Sequence, residues 1–148
     1  MKQILSIFGI GTRFARLAMI AWAFPCTVLA LFPGLIIIAL GGNVRRIDHT
    51  LEVGIRNGQA QVPRWVHKCP FGAITLGHVI IGQSYEMLAT LRSHEQVHVK
   101  QYERFGLFFL LAYPLAGFWA LVRGRSFYAG NAFELQAVRE SGNSGNLV

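Results

Sequence analysis

Apolar and polar positions follow several distinct patterns along the 148-residue chain, and each predicts a different element. Residues 17 to 42, LAMIAWAFPCTVLALFPGLIIIALGG, carry no charge. A helical run of that length reaches across a hydrocarbon layer of about 30 Å. Pro25 and the Pro33-Gly34 pair interrupt it, which predicts kinks or a re-entrant hairpin. Before it, residues 1 to 16 mix Ile4, Phe8 and Phe14 with Lys2, Arg13 and Arg16, the pattern of a short interfacial helix. The uncharged run is longer than the apolar core of a signal peptide, and Arg45-Arg46 closes it. A retained membrane anchor is therefore expected, rather than a cleaved leader.

The period then changes. Leu51, Val53 and Ile55 alternate with polar or small neighbours. Asn57-Gly58 supplies the two positive-φ positions of a tight hairpin turn. Val62 and Trp65 fall on the returning arm, where Pro63 implies an edge strand. A hairpin over 50–66 is expected. Residues 71 to 82, FGAITLGHVIIG, predict a third strand, apolar on both faces and bounded by glycines. A helix follows from about Tyr85 to Phe105, then an apolar stretch over 105–122 with Pro114 in its middle. Asn131 caps a short helix to about Glu140, and SGNSGNLV ends the chain as a polar tail. The fold class predicted is α+β. An N-terminal membrane-anchoring segment covers 1–42, and one domain with a small antiparallel sheet and two helices covers 43–140. The tail takes 141–148.

Composition supports the membrane reading. Residues are 53% hydrophobic and only 14% charged, against roughly 25% in soluble domains. The net charge of +7 is spread over isolated arginines and lysines, without a dense basic run interleaved with aromatics. That distribution points to anionic lipid headgroups as partner and away from nucleic acid. Cys26 and Cys69 form no CxxC pair and no disulfide framework. Gly9-Ile10-Gly11 lacks the strand and Gly-Lys pair of a phosphate loop.

The chemistry concentrates in LRSHEQVHVKQYE, Leu91 to Glu103. His94 and His98, four apart, share one helix face, where two imidazoles can hold one zinc ion. Glu95 sits about 100° around the helix, beside such an ion and placed to take a proton from the attacking water. Two histidines do not complete a catalytic zinc site, which needs a third protein ligand. Glu103 is poorly placed for that role, about 180° from His94 on the same helix.

With the downstream NAFELQAV, the chain resembles the gluzincin metallopeptidases, which pair HExxH with a later Glu on a second helix, often as ExxA. The wider pattern ITLGHVIIG, HEQVHVKQYERFG and RGRSFYAGNAFELQA is similar to a family of small bacterial membrane proteins with this zincin core. The metallopeptidase resemblance covers about residues 71 to 140. It implies a zincin-like active-site helix, Glu134 as third zinc ligand on a second helix, and Glu95 as catalytic base in peptide-bond hydrolysis. It also implies a location at the bacterial inner membrane, integral or peripheral. Val138 departs from the pattern, standing where larger membrane members often carry aspartate. An Asn131 N-cap with Glu134 three residues on is also a capping-box pattern, the competing role for that carboxylate.

If His94, His98 and Glu134 meet, residues 105–122 must leave and return at one depth. A straight crossing would separate them by about 27 Å. The segment is therefore expected to bend at Pro114, lie along the interface, or pack over the site. His78, on the strand that borders the cleft in zincins, is a candidate oxyanion donor or a core histidine. Tyr102, Tyr113 and Tyr128 are further candidate donors, Tyr128 included in the site, and Gln101 is a candidate support for a histidine ligand. His49 and His67 are expected on the surface or in the hairpin. Two rival functions remain at this point: a zinc-binding membrane protein without catalysis, and a metal-free structural or interaction protein.

Overall fold

The structure is a computed structural model that describes residues 2–55 and 72–142, with side chains from 14 onward in the first helix. The fold is α+β. The chain runs α1 (Lys2–Ala39), β1 (Asn43–Ile47), β2 (Thr50–Gly54), β3 (Ala73–Leu76), β4 (Val79–Gly82) and α2 (Tyr85–Phe105). A 3₁₀ turn (Gly106–Phe108), α3 (Phe109–Val122) and α4 (Ala132–Ser141) follow.

α1 is one helix through both Pro25 and Pro33, neither kinked into a hairpin nor split into interfacial and spanning parts as expected. Its buried side explains the continuity. Ala23, Cys26 and Ala30 are fully buried, and Gly34 lies 3.8 Å from Val53 at its Cβ position. These small residues recur at helical spacing across both prolines, so packing holds the helix where the missing N–H groups would loosen it.

The sheet is mixed, with strand order β1-β2-β4-β3. This corrects the expectation of an antiparallel sheet. β1–β2 and β3–β4 are each local hairpins, and the two dock through their second strands, which run parallel. The stretch expected as one strand over 71–82 is thus two, turned at Gly77-His78 with Gly77 at φ +59°. A Cβ at Gly77 would lie 2.3 Å from Thr27 Oγ1 on α1, so glycine serves both the turn and the close approach. The first hairpin turns at Asp48-His49, with Asp48 at φ +52°. The strand expected around Leu51 and Val53 exists as β2, but its hairpin partner precedes it in β1. The expected turn at Asn57-Gly58 and the arm with Val62 and Trp65 lie outside the described residues.

The sheet is sandwiched between two helices. Val79 and Ile81 face α1 together with Ala30 and Val53, while Ile80 between them faces Leu88 and Val99 of α2. β1 turns back from Gly42, against Ile37, to His49, whose Nδ1 meets Arg16 of α1 at 2.9 Å. On β1, the Arg45 guanidinium lies over the Tyr85 ring at the start of α2, 3.7 Å from its centroid, and Arg46 donates to Asp48 C=O at 3.2 Å. α2 is tied to β2 by Arg92, which gives two hydrogen bonds to the buried Glu52 carboxylate at 2.7 and 3.0 Å.

The chain turns between α2 and α3 at Gly106, φ +56°, and not at Pro114, which lies inside α3. By length and composition alone, Phe14–Ala39 and the α2–α3 run Tyr85–Val122 are apolar enough to cross a membrane.

Candidate metal centre

α2 is capped by Ser84, whose hydroxyl accepts from Met87 N–H at 3.2 Å, and runs for 21 residues from Tyr85. His94 and His98 stand one turn apart on it, and their Nε2 atoms approach to 3.1 Å. Glu134 arrives from the first turn of α4. One of its carboxylate oxygens lies 3.1 Å from His94 Nε2, the other 3.3 Å from His98 Nε2. Tetrahedral coordination with bonds of about 2.0–2.1 Å sets ligand atoms about 3.3 Å apart. The three side chains converge at that spacing, and two nitrogens with a carboxylate oxygen are a donor set that zinc accepts.

Hydrogen bonds around His98 define its tautomer. The Gln101 amide nitrogen donates to Phe133 C=O and to Gln136 Oε1, both at 3.1 Å. Its carbonyl oxygen is left facing His98 Nδ1 at 2.8 Å, so Nδ1 carries the hydrogen. Nε2 is then the His98 nitrogen that faces the cluster; it donates to Glu134 in the metal-free protein and is the nitrogen open to a metal once that hydrogen is lost.

The capping-box role for Glu134 is not the one adopted. Asn131 Oδ1 accepts from Phe133 N–H at 3.0 Å, while Asn131 N–H goes to Tyr128 C=O. Both Glu134 oxygens turn inward, and Tyr113 O–H donates to one of them at 2.5 Å. Burial pushes the Glu134 carboxyl up, but hydrogen bonds from His94, His98 and Tyr113 outweigh it and hold the group well below the usual carboxylate range.

Glu95 is buried and accepts the Thr75 hydroxyl at 2.6 Å. It lines the same cavity as His94, His98 and Glu134, a cleft of about 570 Å³. Every residue from Gly72 to Leu76 also lines it. Successive side chains of a strand point to opposite faces, so what all five share is the strand's edge. Among the described residues, that edge of β3 has no partner. α3 forms another wall through Phe109, Leu110, Tyr113 and Pro114, so the apolar segment packs over the site.

The other sequence candidates separate clearly. Tyr128 and Tyr102 line the cleft, with Tyr102 buried in the apolar core. His78 does not line the cleft. Its position in the β3–β4 turn brings Nε2 to Glu103 at 3.1 Å, on the α2 face opposite His94, and this corrects its placement as an oxyanion donor. Sequence reasoning missed Thr75 as the partner of Glu95, although a lone hydroxyl in the apolar ITLGHVIIG was a visible signal. It could not choose Tyr113 over the other two tyrosines. Comparisons of the chain with family models, with curated proteins and with solved structures gave no match.

Proposed function

We propose that the protein is a membrane-associated zinc metallopeptidase of gluzincin type, with His94, His98 and Glu134 as ligands and Glu95 as base. The observation that carries this reading is the meeting of two imidazoles and a carboxylate, 3.1–3.3 Å apart, in a cleft that also holds a buried second carboxylate. Zinc, when bound, polarises a scissile carbonyl and makes water acidic enough to lose a proton near neutral pH. The protein's own groups do the rest. Glu95 takes that proton and returns it to the leaving amine. Thr75 holds one Glu95 oxygen, which fixes the direction in which the other points. An extended peptide adds to the edge of β3 that has no partner among the described residues, by main-chain hydrogen bonds. With the Tyr113 hydroxyl engaged by Glu134 and Tyr102 buried in the apolar core, Tyr128 is the cleft tyrosine left to donate to the developing oxyanion.

Membrane association is supported by the outer faces of α1 and α3, where Phe24, Phe32, Leu35, Leu111, Leu115 and Phe118 are exposed. Trp22 of α1 lies against Phe108 just before α3, ring centroids 6.2 Å apart, which joins the two faces. The sheet runs beside α1, and charged strands with open edges do not enter hydrocarbon. That favours a protein lying in the interface over one that spans.

Zinc content per chain in detergent tests the centre, for the native protein and for His98→Ala and Glu134→Ala. The expected result is about one zinc per native chain, lost or weakened in both variants. A native protein without zinc after reconstitution would sink the reading. Zinc bound but no hydrolysis of any peptide would leave a binding protein in place of an enzyme.

A further inference from the structure

We propose that Tyr113 and Asn131 are positioning residues of the metal centre, which together clamp Glu134 into register with the histidines of α2. The proposal rests on the reading of His94, His98 and Glu134 as metal ligands.

Glu134 lies on the ten-residue helix α4, and its alternative, the capping box, is available within the same turn. Something must hold its carboxylate inward. The Tyr113 hydroxyl does so directly, donating to Oε1 at 2.5 Å. Tyr113 is itself held on both sides. Its ring meets His98 edge-on at 6.1 Å and stacks with Phe133 at 6.4 Å. Its backbone carbonyl accepts from Asn131 Nδ2 at 3.0 Å.

Asn131 is fully buried, and its two amide ends have different tasks. Phe133 N–H can only donate, so the atom facing it is Oδ1. Nδ2 therefore faces Tyr113 C=O, and the amide orientation needs no further assumption. The result is a closed ring of bonds. It runs from the α3 backbone through Asn131 to the start of α4, on to Glu134, and back through the Tyr113 hydroxyl to α3. A helix cap alone would need only the Oδ1 bond. The second bond ties α4 to the helix that carries Tyr113.

Cobalt(II) and zinc binding by the full-length protein in detergent test this, for the native chain, Tyr113→Phe and Asn131→Asp. Tyr113→Phe keeps the ring and removes the one hydroxyl. Asn131→Asp keeps an oxygen for the cap and removes the donor to Tyr113. Each is expected to bind both metals about 10- to 100-fold more weakly, as when support of a ligand is lost. Each is also expected to alter the visible absorption of bound cobalt, which reports ligand geometry and not stability. Native affinity and an unchanged cobalt spectrum in both variants would overturn the proposal, even if both melted earlier. If one variant fails to fold, judged by circular dichroism without metal, the other decides. A native chain that binds neither metal would overturn the ligand reading itself, and this proposal with it.

Discussion

Glu95 and Glu134 are two buried carboxylates with different surroundings, and the proposed function gives them different roles. Glu134 faces two imidazoles and a phenol, whereas Glu95 accepts from the Thr75 hydroxyl. Glu95→Gln should keep the metal and lose peptide hydrolysis by about 10²- to 10⁴-fold, the usual contribution of a general base. Comparing turnover with bound zinc in one preparation checks it, and undiminished hydrolysis would remove Glu95 from the mechanism. Glu134 also has a pH signature. Its carboxyl is held below the ordinary value of about 4.3, so it contributes stability to the metal-free protein above that pH. That contribution is lost as pH falls. Metal-free native protein should therefore lose stability below about pH 4 more steeply than Glu134→Gln. Parallel acid-unfolding curves for the two would show that the carboxyl is not held low. Gln101→Ala removes the acceptor at His98 Nδ1 and should weaken zinc binding by about tenfold or more.

Elements place these side chains, and the ties between elements carry their own expectations. Arg92 clamps α2 to β2 through the buried Glu52 carboxylate. Arg92→Ala strands that charge and should cost about 3–5 kcal/mol in denaturant unfolding. A paired Glu52→Leu and Arg92→Met change should recover most of the loss, because no buried charge is then left alone. The turn from α2 into α3 depends on Gly106, whose φ of +56° and ψ of −136° suit glycine alone. A Cβ there would also meet the Trp22 ring at 2.6 Å. Gly106→Ala should destabilise by at least about 1–3 kcal/mol. It should also displace α3 from the cleft, read as weaker zinc binding. Unchanged affinity would show that the site tolerates movement of α3.

At the scale of the molecule, the sheet lies between α1 and α2, and the outer faces of α1 and α3 remain apolar. The net charge of +7 adds attraction to an acidic surface. The protein should co-sediment with vesicles containing phosphatidylglycerol more strongly than with neutral ones, and salt should narrow the difference. Replacing exposed Leu115 and Phe118 of α3 by aspartate should reduce binding to both kinds of vesicle while leaving zinc stoichiometry unchanged. Equal binding by that variant would place the membrane contact elsewhere.

What the sequence determined by itself is local in physical origin. The i, i+4 spacing of His94 and His98 and the Asn131 cap depend on bonds within a few residues, so both α2 and α4 were legible. So was the uncharged run of α1, though not its continuity through two prolines. The tertiary structure decided everything that needed a partner far along the chain. A tight turn such as Gly77-His78 is hidden in a stretch apolar on both faces, and parallel pairing of β2 with β4 joins segments with no common local signal. Tyr113 was one of three equivalent tyrosines until α3 folded back at Gly106 and set it against Glu134, 21 residues away. His78 had the right neighbours in sequence and the wrong side of α2 in space. Helix periodicity predicts which residues share a face, but only packing between elements chooses what that face meets.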